Sequence, residues 1–220
     1  MRREFILNFH GIGKPHAAVD AGEASVWVSR ATFVALLDEV VAMRSYVAPK
    51  IHITFDDGNM SDATIAMPEL LKRDLTATFF VCSGRVGAPH HLDRSAIGDL
   101  LDCGMQIGSH GMHHRDWRTL TAEALDEEAT TARQELEEIC GGPVTRAAIP
   151  FGSYDRRVLA RLRKENFETV YTSDMGLARP KAWLKPRNSV PARMSRKDLN
   201  CMLTAAPSVR AGLRRKVVML

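Results

Sequence analysis

Short strand-like runs alternate with helix-like stretches along almost the whole chain, and that rhythm limits the folds open to it. "EFILNFH" (4–10), "KIHITF" (50–55), "TATFFVC" (76–82), "MQIGSH" (105–110), "TRAAIPFG" (145–152) and "ETVYTSD" (168–174) are short and apolar or β-branched. "KPRNSVP" (185–191) is a candidate seventh strand. Helical patterns fill the gaps. In "SRATFVALLDEVVAM" (29–43), Phe33, Leu36, Leu37, Val40 and Val41 share one face and Ser29 is placed as N-cap. "SDATIAMPELLKRD" (61–74) is helical and interrupted or begun near Pro68. "DRSAIGDLLDCG" (93–104) is short, and "TAEALDEEATTARQELEEICGG" (121–142) is the clearest helix, stopped by Gly141–Gly142. "YDRRVLARLRKENF" (154–167) and "SRKDLNCML" (195–203), the latter with a Ser195–Asp198 capping spacing, complete the set. Strands alternating with helices are parallel strands joined by crossovers.

The bulk numbers agree with one α/β domain. The chain has 220 residues, 45% of them hydrophobic and 25% charged, with no linker or low-complexity run, so residues 1–220 are taken as a single domain. The apolar run of "MRREFILNFHGIG" is too short for a secretory segment and lacks a small-residue cleavage site, and no run approaches membrane-helix length. The expectation is a cytoplasmic protein with no integral membrane segment. Cys82, Cys103, Cys140 and Cys201 form no CxxC pair and are expected to be reduced. The net charge of +4 is mild, and no nucleic-acid partner is expected. Basic residues gather in a helical tail at 207–220, a candidate for weak contact with a membrane surface.

Polar residues cluster where strands end: His10, Asp56–Asp57, His110 and Phe151–Gly152. In α/β barrels the active site lies at the C-terminal rim of the strands. "TFDDG" ends a strand in two adjacent carboxylates, a costly pair unless a cation or a turn relieves it. "GSHGMHHRDW" offers His110, His113 and His114. Alone, this cluster fits a solvated surface as well as a metal site. Two histidines spaced His-x-x-x-His plus one carboxylate make a facial site with open positions for a divalent ion, Zn²⁺ first. His113 is expected to point away. In "RAAIPFGSYD", Pro150 stiffens the chain, Phe151 offers an apolar wall and Gly152 admits close backbone approach, although a plain strand-to-helix turn reads the same.

"TFDDG" at 54–58, "SHGMHH" at 109–114 and "IPFG" at 149–152 together resemble, in order, the first three motifs of the polysaccharide deacetylases, carbohydrate esterase family 4. The resemblance implies a distorted, incomplete (β/α) barrel of about seven strands. It implies metal-dependent removal of acetyl groups from an N-acetylated saccharide. It makes Asp56 the base, makes Asp57, His110 and His114 the metal ligands, and places the oxyanion near the Phe151 N–H.

The chain also departs from the family pattern. Gly111 stands where Ser or Thr usually follows the first metal histidine. Ala148 stands where an arginine usually orients the base, leaving Arg146 or Arg187 to reach Asp56. No histidine follows His114, so the usual C-terminal acid is missing. His10 is the candidate acid, since "ILNFHGIG" resembles the N-terminal strand end of circularly permuted poly-N-acetylglucosamine deacetylases. In that register Trp27 lines the acetyl pocket, or simply packs in the core, and Glu23 orients a neighbour. Asp174 is either a supporting residue or a turn residue. Arg187 is either at the rim or on the surface. His52, between Ile51 and Ile53, is expected to face outward, and His16, His90 and His91 have no assigned role. Two other readings stay open: hydrolysis of a small non-sugar amide, and a degenerate sugar-binding relative.

Overall fold

The computed structural model describes residues 3–16, 19, 21–43 and 49–204. The 207–220 tail lies outside them. Six strands form a parallel array in chain order: β1 (Glu4–Phe9), β2 (Lys50–Phe55), β3 (Ala77–Val81), β4 (Gln106–Ser109), β5 (Arg146–Ala148) and β6 (Thr169–Thr172). Each matches an expected run.

The seventh position is shared. β8 (Leu184–Pro186) pairs in parallel with β6, and β9 (Asn188–Ser189) pairs in parallel with β1. Arg187 stands between them, its N–H donating to the Thr172 carbonyl at 2.9 Å. One stretch of six residues therefore spans the gap between the first and last strands of the array and brings the barrel near closure. The sequence suggests a strand here but not this division. It also misses β7 (Leu177–Ala178), which runs antiparallel to Glu4–Phe5.

Alternation along the strands sorts side chains by side. Phe5, Leu7 and Phe9 face outward into the main apolar layer, where α2 (Arg30–Met43) presents Phe33, Leu36, Leu37 and Val40. Val41 packs at the margin of that layer. On the far side, Ala147, Ile149 and Val170 pack against Val158, Leu159 and Leu162 of α7 (Arg156–Lys164). The alternate positions point inward and form three levels. Glu4, His52 and Lys185 meet at the N-terminal mouth. Ile6, Phe80, Ala148 and Tyr171 plug the middle. Gly108 makes room for that plug, since a Cβ there would lie 2.5 Å from the Phe80 ring. Asn8, Thr54 and Asp56 form the upper level with Arg187. His52 thus faces the barrel interior, not the outer layer, because it shares its side of β2 with Thr54 and finds Glu4 across the β1–β2 pair.

Helix ends follow the sequence. The Ser29, Asp93, Thr121 and Asp155 side chains accept N–H groups of the first turns of α2, α4 (Arg94–Asp102), α5 (Ala122–Asp126) and α7. Ser195 and Asp198 bond reciprocally at the start of α8 (Arg196–Thr204). Two expected helices contain π turns. Asp62–Ala66 runs into α3 (Met67–Leu71), with Pro68 in its first turn. Glu127–Thr131 separates α5 from α6 (Ala132–Cys140), whose end is set by Gly141 at φ 64°. A four-residue helix, α1 (Ala21–Ala24), lies in the connection after β1. Among the described residues no helix is long and apolar enough to cross a membrane, and the four cysteines are free thiols.

Candidate active site

The two aspartates follow β2 with opposite surroundings. Asp57 adopts φ 75° and Gly58 φ 69°, so the chain turns at the second aspartate itself rather than after it. Left-handed backbone is costly for a residue with a side chain. It recurs at His114 (φ 56°) and Phe151 (φ 58°), so three of the residues assembled at this rim carry it.

Asp56 is 3% exposed and caged. Arg187 donates from Nη1 to Oδ1 at 2.6 Å and from Nη2 to Oδ2 at 2.7 Å, a bidentate fork. Asn8 Nδ2 donates to Oδ2 at 2.9 Å, and Asn8 Oδ1 accepts both Arg187 and the Thr54 hydroxyl at 2.8 Å. Burial alone would raise the Asp56 pKa. The charge of Arg187, then His110, then the guanidinium hydrogen bonds outweigh it and hold the carboxyl far below the usual range. Arg187 fills the role left open at Ala148. Arg146 instead sits at the start of β5, at the other end of the barrel.

Asp57 Oδ1 is buried and has no hydrogen-bond partner. His114 Nε2 lies 3.4 Å from it and His110 Nε2 3.6 Å. Ligand atoms bound at about 2.0–2.2 Å to a tetrahedral or octahedral ion stand about 3–3.5 Å apart, and the two Asp57–histidine spacings are close to that, with all three ligand atoms within 4.8 Å of one another, so the trio could hold a metal ion. His110 is prepared for this. Its Nδ1 lies 2.8 Å from the Ala148 carbonyl, which can only accept, so Nδ1 carries a hydrogen and Nε2 is the nitrogen turned toward Asp57. The His114 pKa is pushed down to about 4, by burial first and by His110 second, against the pull of Asp57, which keeps that imidazole neutral.

The histidine loop is folded around a carboxylate that the sequence does not single out. Glu128, fully buried on the π turn, accepts the Met112 N–H at 2.9 Å, the His113 N–H at 3.1 Å, Arg115 Nε at 2.7 Å and Trp117 Nε1 at 3.3 Å. Glu128 faces inward because it lies on the same side of the helix as Leu125 and Ala132, three residues after one and four before the other. Glu128 also accounts for Gly111: a Cβ there would come within 2.3 Å of Glu128 Oε2, on a backbone of φ 83°. The bonds expected from a Ser or Thr come instead from Glu128. His113 points away as expected, toward Glu127 at 3.8 Å.

His10 closes the other side, its Nε2 3.8 Å from Asp56 Oδ2 and its Nδ1 buried without a partner. Trp27 is 7% exposed and its ring packs so tightly on Gly11 that a Cβ at 11 would fall 1.9 Å from it. The indole thus buttresses the backbone next to His10. Phe151 is 62% exposed and packs against His114 with centroids 4.5 Å apart and the rings tilted by 52°, while Pro150 and Gly152 are buried. The Gly152 N–H donates to Ile149 and the Ser153 N–H to Pro150. Asp174 accepts the Tyr154 hydroxyl at 2.6 Å and Thr172 Oγ1 at 2.8 Å, tying the 150–154 turn to the end of β6. Glu23 lies on α1, its carbonyl accepting the Val26 N–H. Asn8 and Glu128 are the two residues of the site that sequence reasoning misses. Asn8 was signalled by its position two residues before His10 on the same side of β1.

The comparisons with known proteins agree with this geometry. The peptidoglycan-N-acetylmuramic acid deacetylase PdaA of Bacillus subtilis is 30% identical over 125 residues, covering 56% of this chain and 46% of that protein. The chain spans about half the length of the curated relatives it matches first. Two solved structures share the fold over nearly all of it. The Streptococcus pyogenes deacetylase PplD superposes with a TM-score of 0.78 at 21% identity, covering 92% of this chain and 99% of that one. IcaB from Ammonifex degensii does so with 0.77 at 22%, covering 93% and 98%. The family model described as polysaccharide deacetylase matches residues 44–170, more than half of the chain and the span that carries both aspartates, the histidine loop and the Pro-Phe-Gly turn, and by that match the chain belongs to the polysaccharide deacetylase family.

Proposed function

We propose that the protein is a metal-dependent hydrolase that removes the acetyl group from an N-acetylated sugar. The observation that carries this reading is the placement of Asp56, ionised and oriented by Arg187, directly beside the Asp57–His110–His114 trio. A divalent ion, Zn²⁺ first, would supply polarisation of the acyl oxygen and of the attacking water, which lowers the basicity asked of Asp56. Asp56 takes the proton from that water. Arg187 and Asn8 fix the carboxylate so that one geometry is presented. The backbone N–H of Phe151 stabilises charge on the acyl oxygen. His10 Nε2 delivers a proton to the departing amine, giving acetate and a free amino sugar. The exposed Phe151 ring offers the sugar an apolar face, and Trp27 holds the acetyl side behind His10. The sugar class rests on the family and on relatives described as acting on N-acetylmuramic acid and chitooligosaccharides.

The test is acetate release from N-acetylglucosamine oligomers together with metal content. Asp56→Asn should cut turnover by at least a thousandfold and keep the metal, whereas His114→Ala should lose the metal. Normal turnover in Asp56→Asn would remove the base from the scheme. Metal without acetate release from any oligomer would shift the reading to a small non-sugar amide.

A further inference from the structure

At the end of the barrel opposite the aspartates, the strands begin around a second cavity of about 350 Å³. Lys50, Arg146 and Lys185 line it from β2, β5 and β8, with His52, Thr78 and Gln106 among their neighbours. The acidic side chain at this mouth is Glu4, which lies beside His52 and Lys185. Lys185 has its counter-charge, since its Nζ donates to Glu4 Oε2 at 2.7 Å. Among the described residues, the Lys50 and Arg146 side chains have no hydrogen-bond or ion-pair partner. Two positive charges are thus left without an answer from the protein. His52 senses the same field: burial lowers its pKa, Glu4 works against that, and Lys50 and Lys185 push it down again. The Thr78 hydroxyl donates to Gln106 Oε1 at 3.2 Å, which leaves the Gln106 amide hydrogens available. Ile6, Phe80, Ala148 and Tyr171 fill the barrel between this mouth and the upper level, and Tyr171 and Thr54 are themselves part of the cavity lining.

We propose that this cavity is an anion site and that its ligand is a small phosphate-bearing molecule, with the dianionic group held between Lys50 and Arg146. A guanidinium fork suits two phosphate oxygens, an ammonium neutralises the remaining charge, and the Gln106 amide is a neutral donor. A cavity of this size lies at the small end of ligand pockets, roughly 300–1,000 Å³, and holds more than the phosphate group alone. A carboxylate would leave one of the two cations unanswered. The site is independent of the deacetylase reading.

Calorimetric titration of the full chain with inorganic phosphate, at pH 8 and constant ionic strength set with chloride, tests it. Saturable phosphate binding is expected, with acetate at least tenfold weaker. Arg146→Gln should weaken phosphate at least tenfold. Lys50→Gln, a change at an exposed position that leaves the fold and deacetylase turnover intact, should weaken it several-fold. Binding should persist in His114→Ala, which separates it from the metal centre. No saturation by phosphate, equal affinity for acetate, unchanged binding in both charge variants, or loss of binding in His114→Ala would each overturn the proposal.

Discussion

Asp56 and Asp62 lie six residues apart, and both carboxyls are fully withdrawn from water, yet they are held in opposite states. Asp56 receives Arg187 and Asn8 and stays ionised at any working pH. Asp62 has no side-chain partner for either oxygen, and the Asn59 backbone is the one group that draws its pKa down. Burial first, then the charges of Asp57 and Asp56, raise its pKa well above the ordinary value, the reverse of the shift at Asp56. Burial is the same on both sides of this pair, and the neighbours decide. A buried carboxyl costs several kcal/mol if it must stay charged alone, and it escapes that cost by finding a cation or by taking up a proton.

The most severe way to break the contrast is Arg187→Ala, which would leave Asp56 with Asn8 as its remaining close hydrogen-bond donor. A buried ion pair that loses one member costs about 3–5 kcal/mol, and the variant should also raise the Asp56 pKa and lose turnover, read by denaturant unfolding and a pH–rate profile. Glu128→Ala removes a third buried carboxylate, one answered by four donors. It should cost roughly 3 kcal/mol, with weakened metal retention because the histidine loop loses its centre. Arg187→Lys keeps the charge but not the fork. Stability should fall by about 1–2 kcal/mol, with turnover reduced far less than in Arg187→Ala.

The smallest change is Asp62→Asn, and its sign is opposite. The Asp62 pKa is higher folded than unfolded, so the native state binds more protons and stability falls as pH rises above the ordinary aspartate value. An asparagine carries no such penalty. The variant should melt a few degrees higher than the wild type at neutral pH, and the gain should vanish near pH 4. A loss of stability at pH 7 would show that the Asp62 carboxyl has a partner in solution.

What the sequence made legible was local. The strand rhythm located six strands, and the proposed metal ligands and proposed base lie within two motifs only a few residues long. The unread parts are contacts between distant residues: Arg187 reaches Asp56 across 131 positions and Asn8 does so across 48. No periodicity within one segment encodes a partner on another. Glu128 was hidden differently: it lies three residues after Leu125 and four before Ala132, on the apolar side of the 121–142 helix, but a glutamate there names no partner until the histidine loop folds over it. His52 was misassigned since apolar neighbours on a strand do not say which side is the interior.

The six residues that complete the barrel have a temporal meaning. Every other protein contact of Asp56 described here comes from the first 110 residues, but the guanidinium that holds it arrives with the segment that joins β6 to β1. A chain growing from the ribosome can hold its aspartates and histidines long before it can orient its base. Under the proposed function, hydrolytic competence would therefore be switched on late, by the same step that finishes the architecture, and catalysis would become a readout that the barrel has been assembled.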